Sequence, residues 1–128
     1  AHDEKAQILD IIGDVKGKNC MIVDDFSVSG GTLIEIANAL QAKGAKRIIA
    51  CLSHAILREK GMKAIEESPI EMLIGTDSVK NPYTMQSDKF KSVSVAPLFA
   101  EVVGRIHAKE SVSTLFSTQV PKKVVDEI

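Results

Sequence analysis

Apolar and polar positions along this chain change period several times, and the changes mark its elements. Cys20-Met21-Ile22-Val23 is an unbroken apolar run of strand length, which suits a strand covered on both faces, as in a parallel sheet. From Thr32 to Lys43 the period lengthens. Leu33, Ile36, Ala37 and Leu40 fall at i, i+3, i+4 and i+7, one stripe of a helix. Gly44 follows as its C-terminal cap, with Lys43 placing a cation in the last turn. Arg47 to Leu52 is a second strand-like run, ending in Ser53-His54. A second helix is predicted from Arg58 to Glu67, with Leu57, Met62 and Ile65 apolar and Ser68-Pro69 stopping it.

Met72-Leu73-Ile74 gives a third strand, ending in Gly75-Thr76-Asp77-Ser78, and the polar residues 79–89 read as a loop. Phe90 to Val95 reads as a strand. Pro97 suits the first position of a helix reaching about Lys109, with Leu98, Phe99, Val102, Val103 and Ile106 on its inner face. Upstream, residues 1–7 read as a frayed polar end. Ile8-Leu9-Asp10-Ile11-Ile12 reads as a short strand, and Gly17 and Asn19 as turn residues. Strand alternating with helix is the pattern of an α/β fold, a parallel-sheet three-layer, Rossmann-like domain occupying residues 1–128 as one unit.

Composition narrows the function classes. The chain has 128 residues, 45% hydrophobic and 26% charged, enough for one core. Sixteen basic residues against seventeen acidic ones give a net charge of −1, so no global field favours nucleic acid or an anionic membrane. Four Phe, one Tyr and no Trp offer no base-stacking platform. No apolar run approaches the roughly 20 residues that span a bilayer. Residues 1–19 lack a signal-peptide pattern. Cys20 and Cys51 each sit in an apolar run and read as buried free thiols of a cytoplasmic protein rather than a disulfide.

The chemistry concentrates between Asn19 and Leu33. An apolar strand ends in Asp24-Asp25, then passes through Phe26-Ser27-Val28-Ser29-Gly30-Gly31-Thr32 into the first helix. Ligands of open parallel sheets gather beyond the carboxyl ends of the strands. Ser53-His54 and Thr76-Asp77-Ser78 stand at the same edge of the predicted sheet as Asp24-Asp25. Ser29, Gly30, Gly31 and Thr32 precede a helix, so their backbone amides and the helix dipole favour an anion such as phosphate. The same residues also fit a plain helix cap with Thr32 or Ser29 at the N-cap. Adjacent carboxylates suit two vicinal hydroxyls, as in a ribose, or Mg²⁺ held through water. The P-loop pattern G-x-x-x-x-G-K-[ST] and the dinucleotide pattern G-x-G-x-x-G are both absent.

Val23 to Leu33 resembles the phosphoribosyl pyrophosphate binding signature of type I phosphoribosyltransferases. Further segments resemble one branch, the ribose-phosphate pyrophosphokinases: Asp10 to Lys18, Gly44-Ala45-Lys46 with Ala50 to His54, Thr76 to Lys80, Val93 to Glu101, and Arg105-Ile106-His107 through Ser111-Val112-Ser113 to Leu115-Phe116. The likeness covers about residues 8–117. It implies the C-terminal half of a two-domain enzyme that uses Mg²⁺ to transfer diphosphate from ATP to ribose 5-phosphate in the cytoplasm, as a homo-oligomer.

By the same resemblance, Asp24 and Asp25 hold the ribose 2- and 3-hydroxyls, and Ser29, Gly30, Gly31 and Thr32 cradle the 5-phosphate. Ser111 and Ser113 match tail serines that line an effector phosphate site. No catalytic residue or main Mg²⁺ ligand falls within the chain, so the isolated chain is expected to be inactive. Two departures stand out. The loop usually reads Asp-Thr-(Ala/Gly)-Gly-Thr, whereas here Val28 replaces the acid. Thr114 stands where Tyr is frequent. Val28 and the unusual loop motivate the alternative of a non-catalytic regulatory or assembly homologue, while Thr114 bears on the effector site. A stand-alone phosphoribosyltransferase would need a segment hooding the site, and none of adequate length is found.

Overall fold

The computed structural model describes residues 11–116, which fall into two compact units divided after Ser94. In the first, β1 (Asn19–Ser27), β2 (Arg47–Ala55), β3 (Met72–Thr76) and β4 (Phe90–Val93) form one sheet in the order β1-β2-β3-β4. Every neighbouring pair is parallel. The crossovers carry α1 (Gly31–Ala42), α2 (Glu59–Glu66) and the single-turn α3 (Pro82–Met85). This is the parallel α/β fold expected from the alternation of apolar runs and helical stripes.

Burial follows strand alternation. Ile22, Ile48, Ala50, Leu52 and Leu73 are buried beneath Leu33, Ala37 and Leu40 of α1 and Met62 and Ile65 of α2. On the other face Met21 and Val23 are exposed, Val23 to 74%, so this unit's helices cover one face of β1 rather than both. The stripe of α1 is also rotated from the expected one. Ile34 packs against the core and Ile36 is part-exposed.

Cys20 and Cys51 are free, as expected, but half-buried rather than buried. Burial pushes the Cys51 thiol up, so it stays protonated at neutral pH. Helix α1 ends where Gly44 predicts. The Ala45 amide donates to the Leu40 carbonyl and the Gly44 amide to that of Gln41, closing a Schellman motif around a positive φ at Gly44.

Residues 79–89 are not all loop. Asn81 caps α3 by accepting from the Tyr83 amide, and Pro82 occupies its first turn. The strand expected over Ile8 to Ile12 lies outside the described residues except for Ile11 and Ile12, which belong to no strand.

The second unit contains α4 (Ala96–His107), with Pro97 in its first turn, and a 3-10 turn over Ser113–Phe116. Helix α4 closes with the same hydrogen-bond pair as α1: the Glu110 amide to the Arg105 carbonyl at 2.8 Å and the Lys109 amide to that of Ile106 at 3.1 Å. Here the left-handed position holds Lys109, at φ 59°. No described helix is long and apolar enough to cross a membrane.

Candidate functional site

Strand β1 does not stop at Val23. It runs through the acidic pair to Ser27, paired with β2 from Asn19↔Arg47 to Ser27↔Ala55. Asp24 and Asp25 thus lie within the strand near its carboxyl end, and alternation sends Asp24 to the Ile22 face and Asp25 to the Val23 face. Each carboxylate Oδ1 accepts the next residue's amide, Asp25 N–H at 2.9 Å and Phe26 N–H at 2.8 Å. A carboxylate has about four lone-pair sites, so both keep capacity for hydroxyl donors.

The loop beyond is held by its own hydroxyls. Ser27 Oγ accepts the Gly30 amide at 3.1 Å, and Ser29 Oγ accepts the Gly31 amide at 3.3 Å. Neither Thr32 nor Ser29 is the N-cap. Gly30 takes that position at φ 77°, and its lack of a side chain leaves α1 without a cap from the N-cap residue. The left-handed φ selects glycine, and the N-cap falls between the two hydroxyl candidates, one residue after Ser29 and two before Thr32. The loop and the amides of the first turn of α1 therefore sit directly after the acidic pair, an arrangement suited to a phosphate.

Helix α2 backs this loop. The Arg58 amide donates to the Val28 carbonyl at 3.0 Å. Gly61 packs so closely that a Cβ there would lie 2.8 Å from the Ser29 carbonyl oxygen, and one on Gly30 would lie 3.2 Å from Ile65. Sequence reasoning missed this buttress. Its one local signal was an isolated glycine within a helical pattern.

The strand ends of β2 and β3 are tied together. Thr76 Oγ1 and Ser78 Oγ both donate to the Ser53 carbonyl, the latter at 3.1 Å, and His54 Nδ1 lies 2.8 Å from Ser78 Oγ. Val23, Asp24, Cys51, Ser53, Thr76 and Val93 line a groove of about 210 Å³ at this edge. The structure thus brings Asp24 together with Ser53 and Thr76.

In the second unit, Ser111 Oγ and Ser113 Oγ are 2.7 Å apart, and Arg105 donates to the Ser111 carbonyl and the Thr114 hydroxyl. Their hydroxyls are thus engaged locally with each other. For a divalent metal the fit is incomplete. No three His, Cys, Asp or Glu side chains converge among the described residues, and Asp24 and Asp25 alone do not supply the six or more oxygens of a hard cation's shell.

A family model described as phosphoribosyl synthetase-associated domain matches residues 2–117. The chain is similar to the ribose-phosphate pyrophosphokinase of Listeria ivanovii, 45% identical over 111 residues that make up 87% of this chain and 35% of that protein. It is 46% identical over 112 residues to the one from Caldanaerobacter subterraneus subsp. tengcongensis, covering 88% of this chain and 35% of that protein. Among solved structures it resembles phosphoribosylpyrophosphate synthetase from Mycobacterium smegmatis, with a TM-score of 0.73 and 28% identity over 77% of this chain and 33% of the other. The chain spans about a third of the length of these relatives.

Proposed function

The chain belongs to the phosphoribosyl synthetase-associated domain family, and we propose that it is the ribose 5-phosphate-binding, C-terminal half of a ribose-phosphate diphosphokinase. The observation that carries the reading is the continuity of site parts along one strand, loop and helix. Asp24 and Asp25 lie near the end of β1, and five residues after Asp25 stands Gly30, the N-cap of α1, with no side-chain cap.

In this reading the carboxylates accept hydrogen bonds from the 2- and 3-hydroxyls. The 5-phosphate sits in the loop Ser29 to Thr32, where the helix dipole stabilises its charge. Holding the sugar at both ends fixes the direction in which its anomeric hydroxyl points. That hydroxyl then displaces AMP from the β-phosphorus of ATP, forming phosphoribosyl pyrophosphate. ATP, Mg²⁺ and the groups acting on the transferred diphosphoryl group are held by residues beyond this chain. The working enzyme is a cytoplasmic homo-oligomer. The tail serines Ser111 and Ser113 belong to an effector site in the same proposal.

A second reading rests on Val28. Its carbonyl is held by Arg58, but its side chain is apolar where the resemblance expects a carboxylate. A non-catalytic partner of the active enzyme would tolerate this. The test is AMP formation from ATP and ribose 5-phosphate by the longer polypeptide that contains this chain. The first reading expects activity there and none from residues 1–128 alone. Binding of ribose 5-phosphate without turnover by the longer polypeptide favours the second, and turnover by the 128-residue chain alone overturns the assignment of a half site.

A further inference from the structure

We infer that Gly61 of α2 is a positioning residue for the loop Val28 to Gly30, turning the Ser29 amide toward the bound phosphate. The inference rests on the ribose 5-phosphate reading above. Three contacts from α2 converge on three consecutive loop residues: Arg58 N–H on the Val28 carbonyl at 3.0 Å, the Gly61 backbone on the Ser29 carbonyl, and Ile65 on Gly30. The Val28 carbonyl therefore faces α2, and the Ser29 carbonyl lies side-on against Gly61.

A trans peptide is planar, with C=O and N–H pointing in opposite directions. The amide of the Val28–Ser29 peptide, Ser29 N–H, is then turned away from α2. Were that peptide to flip, a carbonyl oxygen would face the phosphate and repel it. The Gly30 amide is taken up by Ser27 Oγ and the Gly31 amide by Ser29 Oγ, which leaves the Ser29 amide as the donor most dependent on the buttress.

Only glycine permits this approach. A Cβ at position 61 would lie 2.8 Å from the Ser29 oxygen, 3.0 Å from its carbonyl carbon and 3.1 Å from the Val28 oxygen. All three are backbone atoms of a short loop, so no flexible side chain can yield. Gly61 lies inside α2, where glycine costs about 1 kcal/mol relative to alanine. Alanine should therefore favour the isolated helix while disturbing the loop.

The test uses the 128-residue chain and ribose 5-phosphate, with amide chemical shifts followed by NMR. In the wild type, the Ser29 to Thr32 amides and those following Asp24 and Asp25 should shift together on titration. In Gly61→Ala the affinity should fall about tenfold, the scale of one charge-assisted hydrogen bond. The shift of the Ser29 amide should be lost, while the amides after Asp24 and Asp25 still respond at higher ligand concentration.

A structural defect alone would weaken both groups in proportion. Ile65→Val, which removes one methyl group touching the loop, gives a milder variant should Gly61→Ala fail to fold. It should reduce the Ser29 response in the same direction. Lys60→Ala, on the exposed side of α2, should match the wild type. Wild-type binding with an unchanged Ser29 response in both Gly61→Ala and Ile65→Val overturns the positioning role alone. No response in the wild type overturns this inference together with the ribose 5-phosphate reading.

Discussion

The side-chain amide of Asn81 donates to the Leu57 carbonyl at 2.8 Å, across 24 residues of sequence. Its second N–H donates to the Ala55 carbonyl at 2.9 Å, and its oxygen accepts the Tyr83 amide. One buried residue thus secures both the end of β2 and the start of α3. The backbone that leads from β2 into α2 hangs on this amide, and α2 in turn backs the phosphate loop.

Asn81→Ala should therefore destabilise the chain by about 2–3 kcal/mol, since it leaves two buried carbonyls without a donor. Urea denaturation followed by far-UV circular dichroism measures the loss. A change below about 0.5 kcal/mol would show that the Ala55 and Leu57 carbonyls find other partners.

Lys109 adopts a left-handed conformation at the end of α4, where most helices place glycine. A side chain costs roughly 1–2 kcal/mol there. Lys109→Gly should accordingly strengthen the last turn of α4 by about 1 kcal/mol, seen as slower hydrogen exchange of the amides of Ala108 to Glu110. Faster exchange would mean that the lysine side chain itself supports the turn.

Arg47 and Glu71 form a two-pronged ion pair at 2.8 and 2.9 Å, joining the start of β2 to the segment entering β3. The hydrogen bond from Arg47 holds the Glu71 carboxyl below the ordinary carboxylate range. A lowered folded-state value favours folding above the unfolded-state pKa, and the benefit is lost as pH falls through the folded value. The pair is half-exposed, so the effect is small. Glu71→Gln should flatten the acid side of the stability profile and leave its slope near neutral pH unchanged. Urea midpoints measured across the acid range would show this. An acid-side slope equal to that of the wild type would mean the pair adds nothing.

What could be read from the sequence depended on the range of the interaction responsible. Helix α1 announced itself by a stripe of burial over three turns, and strands β2 and β3 by apolar runs of strand length. Helix α3 is a single turn, too short to show a period, although Asn81-Pro82 carried the cap and first-turn chemistry that starts it. The acidic pair and the phosphate-sized loop were visible as residue types in order. The identity of the cap was not, because Thr32 and Ser29 normally outcompete glycine there and only the fold imposes the left-handed φ of Gly30. Gly61 was invisible for a different reason: its neighbour Ser29 is 32 positions away, and close approach of two backbones leaves no periodic trace. The exposed face of β1 was misjudged because an apolar run shows that burial is possible on both sides, not which elements supply it.

Calorimetric titration of the 128-residue chain with ribose 5-phosphate tests the central claim most directly. The account predicts saturable one-to-one binding that unphosphorylated ribose does not reproduce. Replacing both acids, Asp24→Asn with Asp25→Asn, should weaken it about tenfold or more, because each charged acceptor of a hydroxyl is worth more than a neutral one. Absence of binding by the wild type, or equal affinity in the double variant, would contradict it.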